Sequence, residues 1–308
     1  MSTGPVVVLA GGTGGAKLAR GMLDLVGDDL VVVANTADDI DIYDAAVSPD
    51  PDLVAFTLAD IIDSRGWGID GDTFEEMERR RGEGEEVWFN LGDRDLGWCR
   101  RRRELLDDGL SATEAMAQLV GSLGLGASVL PMSDRPVRTE VTAGGRSMGL
   151  QEFLIREGGA GPIESVSFAG IEDAAPSGEV LAALSCARAI VIGPSNPVIS
   201  IGPILALAGM KEALAQAAAP IVAVSPIVGG EVLKGPTAQC MEAWGLPATT
   251  EGVARAWADV ADLLLADEPA AGAPLPVQVA QTLMDTPLRR QGAAREALEA
   301  ADALSVEP

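Results

Sequence analysis

The chain has 308 residues, 47% of them hydrophobic, enough to bury a sizeable core in one or two domains, and its composition favours a globular protein over a disordered one. Histidine is absent, which excludes Ser-His-Asp and Cys-His nucleophilic sites and any imidazole metal site. A net charge of −24 argues against nonspecific binding to nucleic acid or anionic membrane.

No apolar run approaches the ~20 residues of a membrane helix, and the N-terminus lacks the basic region of a signal peptide. Cys99, Cys186 and Cys240 stand at unrelated spacings and form neither a disulfide framework nor a zinc pattern. A cytoplasmic location is the expectation.

In chain order, apolar runs bounded by turn signals predict strands at Val6–Ala10, Leu30–Ala34, Ala127–Leu130, Ala189–Ile192, Ile221–Val224 and Asp262–Ala266. Helical patterns separate many of them, at Ala16–Val26, Ser111–Leu123, Gly178–Ala187 and Lys211–Ala218. Fully apolar strands alternating with helices predict an α/β fold, a mainly parallel sheet covered on both faces. Such a sheet binds ligands at the carboxyl ends of its strands, near the switch in strand order. Residues 60–123 differ in texture: "FEEMERRRGEGEEVW" and "CRRRRELLDDG" are rich in Arg and Glu, helical in propensity and without a strand pattern. They predict a helical insertion or cap on a core made of residues 1–59 and 124–308. Thr139–Ile155 reads as a hairpin with a glycine turn, and the alanine-rich Pro287–Leu304 as a helix that covers a sheet edge or a partner subunit.

The first strand runs into a turn, "VVVLAGGTGGAKLARGM". It lacks the Gly-Lys-Ser/Thr ending of a nucleotide P-loop and the third glycine of a dinucleotide fingerprint. What survives is a glycine-dense helix N-terminus able to face an anion, with Lys17 as a point charge. A tight strand-to-helix turn without a ligand is the alternative. After the second strand, "NTADDIDIYDAAVSPDPD" crowds carboxylates where the topology would place a ligand. Clustered acids repel unless a cation sits among them, and oxygen ligands alone point to Mg²⁺ or a similar hard ion. A solvated acidic loop is the alternative. "WFNLGDRDLG", "LPMSDRPV" and "IVIGPSNPVISIGPIL" supply further polar loops. In the last of these, prolines rigidify Ser195 and Asn196, which can bind a ligand or satisfy their own backbone.

Taken together and in order, "GGTGGAKL", "NTADD", "SPDPD", "GWG", "LGDRDL", "LPMSD", "IGPSNPVISIGPIL" and "VAVSPIVGG" resemble the 2-phospho-L-lactate transferase family over Val6 to Arg290. The resemblance implies a Rossmann-like, three-layer core with a helical insertion. It implies that the primary hydroxyl of the deazaflavin Fo attacks a lactyl- or enolpyruvyl-diphospho-guanosine donor, releasing GMP, in the synthesis of coenzyme F-420. Mg²⁺ would bridge the phosphates. By the same resemblance, Gly11, Gly12, Thr13, Gly14 and Lys17 lie at the donor's phosphates, and Ser195 and Asn196 along the nucleotide pocket with Ser133 and Asp134 nearby. Asp52 and Asn90 contact the deazaflavin. Asp38, Asp39, Asp50 and Asp52 are the candidate metal ligands, and Asp39, Asp52, Asp93 and Arg94 the candidate catalytic residues. A homodimer is expected. Asp52→Ala is expected to stop transfer and leave the fold intact.

Three departures from the family pattern bear on the acceptor: Asn90 replaces a Lys or Arg common in relatives, Cys99 replaces a frequent His, and Pro51 replaces a leucine. The rival within the superfamily is a gluconeogenesis-factor-like nucleotide-binding regulator. Such proteins usually carry an acidic-glycine-serine run where this chain reads Asp38-Asp39-Ile40-Asp41-Ile42.

Overall fold

Val6–Ala10 (β1) and Leu30–Ala34 (β2) are built of small and β-branched residues that suit a pleated surface buried on both sides. In the computed structural model, which describes residues 4–233 and 235–306, they occupy the middle of a seven-stranded sheet. Its order is Val277–Val279, Leu263–Ala266, Ile221–Val224, Ala189–Ile192, β1, β2, Ser128–Pro131, and every adjacent pair runs parallel. The fold is therefore α/β with a parallel central sheet, as the apolar runs predicted. The short edge strand Val277–Val279 was not anticipated, because three half-exposed residues carry no apolar run.

Period-two alternation divides the core. Val6 and Val8 of β1 face helices Gly12–Val26 (α1), Pro49–Leu58 (α2) and the C-terminal Pro287–Leu304. Val7 and Leu9 face the opposite layer, which holds helices Gly178–Cys186 and Thr250–Trp257 and a three-stranded antiparallel sheet. Two of that sheet's strands, Arg138–Ala143 and Arg146–Gly149, form the expected hairpin, which stops at Gly149; Ile163–Ala169 pairs on its other side. The C-terminal helix lays Ala293, Ala294, Ala297 and Ala301 into the core beside α1. A Cβ on Gly21 of α1 would lie 2.3 Å from the Arg290 carbonyl oxygen. Its alanine stripe is thus used inside the chain.

Between α2 and the Ser128–Pro131 strand lie helices Glu75–Gly82 (α3), Asp93–Asp107 (α4) and Ala112–Ser122 (α5). The α4 helix packs Leu96 and Cys99 into a satellite cluster with Val47, Met77, Phe89 and Leu91. Met116 and Val120 of α5 instead join the main core under β2. From β1 the chain moves outward through β2 to one edge and returns to the other side of β1 at Ala189–Ile192. The glycine turn therefore stands at the topological switch point, where open α/β sheets bind ligands.

Candidate active site

The turn between β1 and α1 is closed by packing. Gly12 has φ +62°, a backbone that favours glycine, and a Cβ on Gly14 would lie 1.9 Å from the Pro194 carbonyl oxygen. The turn is thereby seated against the loop that follows Ala189–Ile192. Two of its amides are already engaged: Gly11 donates to Ser195 Oγ at 3.3 Å and Gly12 to Asp50 Oδ1 at 2.7 Å. A phosphate would be met by later groups of the α1 N-terminus. Thr13, Gly14 and Lys17 line the cleft above it together with Asp38, Asp50, Ser195, Asn196 and Thr282. This cleft holds about 550 Å³. Asn196 caps the turn after it, its Oδ1 accepting from the amides of Val198 and Ile199 at 2.9 and 3.3 Å. Among the described residues its Nδ2 is buried with no oxygen or nitrogen partner, and so is Thr282 Oγ1. Unsatisfied polar atoms facing a cleft are poised for a ligand.

Asn35 ends β2 and organises the floor. Its Nδ2 donates to Asp38 Oδ1 at 3.1 Å and Asp50 Oδ2 at 2.9 Å, so one amide holds two carboxylates together. Burial pushes the Asp38 carboxyl well above its ordinary range, and the charge of Asp50 pushes it further. Burial also lifts Asp50 to about 6, against the pull of Asn35 and the Gly12 amide. A divalent cation would relieve this crowding. Two carboxylates with room for phosphate oxygens and waters suit Mg²⁺, which rarely takes an all-protein cage.

The other two acids proposed as metal ligands lie elsewhere. On α2, residues two apart point in nearly opposite directions, so Asp50 faces the glycine turn and Asp52 faces α4. There Asp52 accepts from Trp98 Nε1 at 2.7 Å and from both terminal nitrogens of Arg102, Nη1 at 3.0 Å. Arg102 also donates to the Ala46 carbonyl at 2.9 Å, and both members of the pair are buried. Asp52, Asp95 and Cys99 bring one ligand atom each to within 4.8 Å of one another; a cation there would meet the Arg102 guanidinium. Asp39 accepts from Ser48 Oγ at 2.7 Å, its carboxyl pushed by burial to about 7. It lines a different, third cleft, alongside Ser133 and Asp134. Ser133 Oγ there accepts from the Arg135 amide at 3.1 Å, and Asp134 from the Thr113 amide at 2.8 Å at the start of α5. Neither residue lines the glycine-turn cleft.

The "LGDRDL" loop is divided in the same way. Asp93 caps α3 from a distance, accepting from Thr73 Oγ1 at 2.5 Å and from the amides of Glu75 and Glu76 at 2.9 and 3.0 Å. These donors hold its carboxyl below the usual range. Arg94 is exposed, and its Nη1 donates to the Asp70 carbonyl at 3.2 Å. Asp95, between them and the core, lines a second cleft of about 460 Å³ with Phe56, Trp67, Trp88, Phe89, Asn90 and Asp52. Burial, then the charges of Asp52 and Asp72, push its carboxyl up to about 7. Asn90 accepts from Arg81 Nη2 at 2.6 Å. The aromatic cleft and the glycine-turn cleft share Thr13, Pro49, Asp50 and Gln151 as walls, so they meet at the acid that holds the turn.

Asn35, Asp95 and Thr282 were not anticipated as site residues. A polar residue ending an apolar parallel strand marked Asn35 in advance, and "GDRD" held Asp95. Thr282 carried no signal of its own.

Residues 6–286 match the family described as 2-phospho-L-lactate transferase CofD. A 2-phospho-L-lactate transferase of Methanosarcina mazei is 38% identical over 265 residues, 85% of this chain and 87% of that protein. A phosphoenolpyruvate transferase of Kitasatospora aureofaciens is 41% identical over 259 residues, 81% of this chain and 80% of that protein. Among solved structures, a member of the upf0052 family from Bacillus halodurans superposes with a TM-score of 0.56 at 19% identity, covering 91% of this chain and 88% of that one. A second structure from that organism gives 0.59 at 19% identity over 97% and 99%. This second likeness concerns the fold alone. The match across nearly the whole chain, over a site built at the switch point of its sheet, makes the chain a member of the 2-phospho-L-lactate transferase CofD family and an enzyme of the transferase class.

Proposed function

We propose that the chain transfers a phospholactyl or phosphoenolpyruvyl group from a diphospho-guanosine donor to the primary hydroxyl of the deazaflavin Fo, releasing GMP, in coenzyme F-420 biosynthesis. The observation that carries this reading is the meeting of two unlike clefts at Asp50. One is floored by a helix N-terminus and carries the side chains of Lys17, Asp38, Asp50, Ser195 and Thr282, as a nucleotide diphosphate requires. The other is walled by aromatic rings, as a flat tricyclic acceptor requires.

In this reading the donor's phosphates lie over Thr13, Gly14 and Lys17, and its nucleoside extends past Asn196 and Thr282. The Fo ring enters between Trp67, Trp88 and Phe89, with Asn90 and Asp95 at its polar edge. Its hydroxyl then lies between Asp95 and the shared wall at Asp50. Asp38 and Asp50 would hold Mg²⁺, which supplies charge neutralisation for the phosphates when bound. Asp95 takes the hydroxyl proton; a carboxylate with a pKa near 7 is suited to that role. Asp52 fixes Arg102 and Trp98 behind Asp95 and so shapes the acceptor's floor. Residues 60–123, which carry the aromatic rings, act as a cap on the core. Among the described residues no single helix is long and apolar enough to cross a membrane; a cytoplasmic homodimer accords with this reading.

The test is titration of the purified protein with Fo and with GDP, each with and without Mg²⁺, followed by deazaflavin fluorescence and calorimetry. Fo binding together with Mg²⁺-dependent GDP binding is the expected result. GDP binding without Fo binding would move the chain toward the nucleotide-binding regulator.

A further inference from the structure

The segments that lead into α3 and α4 exchange their caps. Asp93, at the start of α4, serves α3, and Asp72, which precedes α3, serves α4. Asp72 Oδ1 accepts from the Arg94 amide at 2.9 Å and its Oδ2 from the Asp95 amide at 3.0 Å. These are the second and third amides of α4, the ones an N-cap side chain normally takes. The N-cap itself is Gly92, and a Cβ there would lie 2.2 Å from Asp72 Oδ2, so the glycine lets the carboxylate reach the helix end. The Asp93 amide donates to the Thr73 carbonyl at 2.8 Å and ties the two segments together.

This exchange decides where Asp95 can turn. Asp95 is the third residue of α4, and an acid at that position ordinarily folds back onto the free amides of the first turn. Glu114 does so in α5, where its Oε2 accepts from the Ser111 amide at 2.8 Å. In α4 the Asp72 carboxylate already occupies the helix end, and its charge repels a second one. Among the described residues the Asp95 carboxyl accepts only from the Cys99 thiol, at 3.9 Å, and it lines the aromatic cleft. Asp93 shows the alternative: donors from Thr73, Glu75 and Glu76 hold its carboxyl below the usual range. The charged and titratable groups facing Asp95 are Asp52 from α2, Arg102 and Cys99 from α4, and Asp72 itself.

We propose that Asp72 is a positioning residue for the transfer: by occupying the α4 N-terminus it keeps the Asp95 carboxyl free of backbone donors and turned into the aromatic cleft. The proposal rests on the reading of Asp95 as the group that takes the acceptor's hydroxyl proton. A helix cap alone would contribute to stability and nothing else.

Steady-state transfer to Fo by the full chain, followed against pH, tests it. Asp72→Ala is expected to lower kcat about 10²-fold, the scale of a misplaced reacting group, with the KM for the donor unchanged. The midpoint of its pH–rate profile should move to lower pH, because a repelling charge is lost and freed amides bind the Asp95 carboxylate. Asp72→Asn keeps one acceptor oxygen and should fall between that variant and the parent; it carries the test if Asp72→Ala does not fold. Ser111→Ala, which removes the cap of α5, should keep both kcat and midpoint. Asp72 variants that lose stability yet keep the parental kcat and midpoint would reduce Asp72 to a helix cap and overturn the proposal. So would an equal fall in kcat for Ser111→Ala. Parental activity in Asp95→Asn would overturn the reading of Asp95 itself. Its inactivity beside fully active Asp72 variants would overturn the role of Asp72 alone.

Discussion

Asp50 and Asp52 are two residues apart on one helix and do different work. Asp50 joins Asp38 on Asn35 beneath the glycine turn, whereas Asp52 is closed into a buried pair with Arg102. Removing one partner of such a pair strands the other charge in the core, at a cost of about 3–5 kcal/mol. Asp52→Ala is therefore expected to lose stability as well as any activity, which corrects the expectation of an intact fold. The double substitution Asp52→Ala/Arg102→Met should recover much of that stability in chemical denaturation; a stable single variant would refute the buried pairing. Asp95 gives a kinetic counterpart. Asp95→Asn should lower kcat by about 10²–10⁴-fold, the range for loss of a general base. In the parent protein, kcat/KM should rise with pH as Asp95 deprotonates around pH 7. A rate that is flat between pH 6 and 8 would take Asp95 out of the chemistry.

At the scale of elements, helix starts account for residues that the motifs alone left ambiguous. The α2 helix begins after Ser48 with Pro49 and Pro51 in its first turn. Amides at those positions have no partner within the helix, so the proline that replaces the family's leucine is accommodated without losing a bond. The α3 helix lacks a capping side chain at its own N-cap, Phe74. Asp93, at the start of α4, supplies the acceptor instead and ties the two helices together. Asp93→Ala should then destabilise the protein by about 1 kcal/mol, the usual loss for a cap, while Fo and GDP binding stay near parental values. Abolished binding in a folded Asp93→Ala variant would return Asp93 to the active site.

Over the whole molecule, the buried acids set a pH dependence. Asp38, Asp39, Asp50 and Asp95 all have carboxyls raised by burial, so between about pH 4 and 7 the folded state binds more protons than the unfolded chain. By linkage their contribution is most favourable at low pH and is lost as pH rises through 6 to 7. Carboxyls held low by partners act oppositely and only in acid: Glu76, lowered to about 2 by Arg79 and its neighbours, and Asp60, lowered by Arg20, are lost as stabilisers below about pH 4. In metal-free buffer the melting temperature should therefore be higher at pH 6 than at pH 8. Added Mg²⁺ should narrow the gap, because a cation at Asp38 and Asp50 restores the charged form. A melting temperature that rises from pH 6 to 8 without metal would contradict the burial of these acids.

The strands and the switch-point turn were legible in the chain itself. Val6–Ala10, Leu30–Ala34, Ala189–Ile192 and Ile221–Val224 are short, fully apolar and bounded by glycine, proline or polar residues, and local chemistry of that kind leaves few alternatives to a buried parallel strand. The family likewise shows in the order of its motifs, which needs no coordinates. Which carboxylate serves which cleft was decided only in three dimensions. That outcome depends on helical phase at Asp50 and Asp52, on Arg102 arriving from α4 some fifty positions away, and on Asn35 bonding two acids at once. Asp93 and Asp95 share one motif, yet one caps a helix and the other lines the aromatic cleft, because the start of α4 turns alternate residues to different sides. A sequence motif gathers the charged groups, but their roles follow from burial and from the partners that distant elements bring to them.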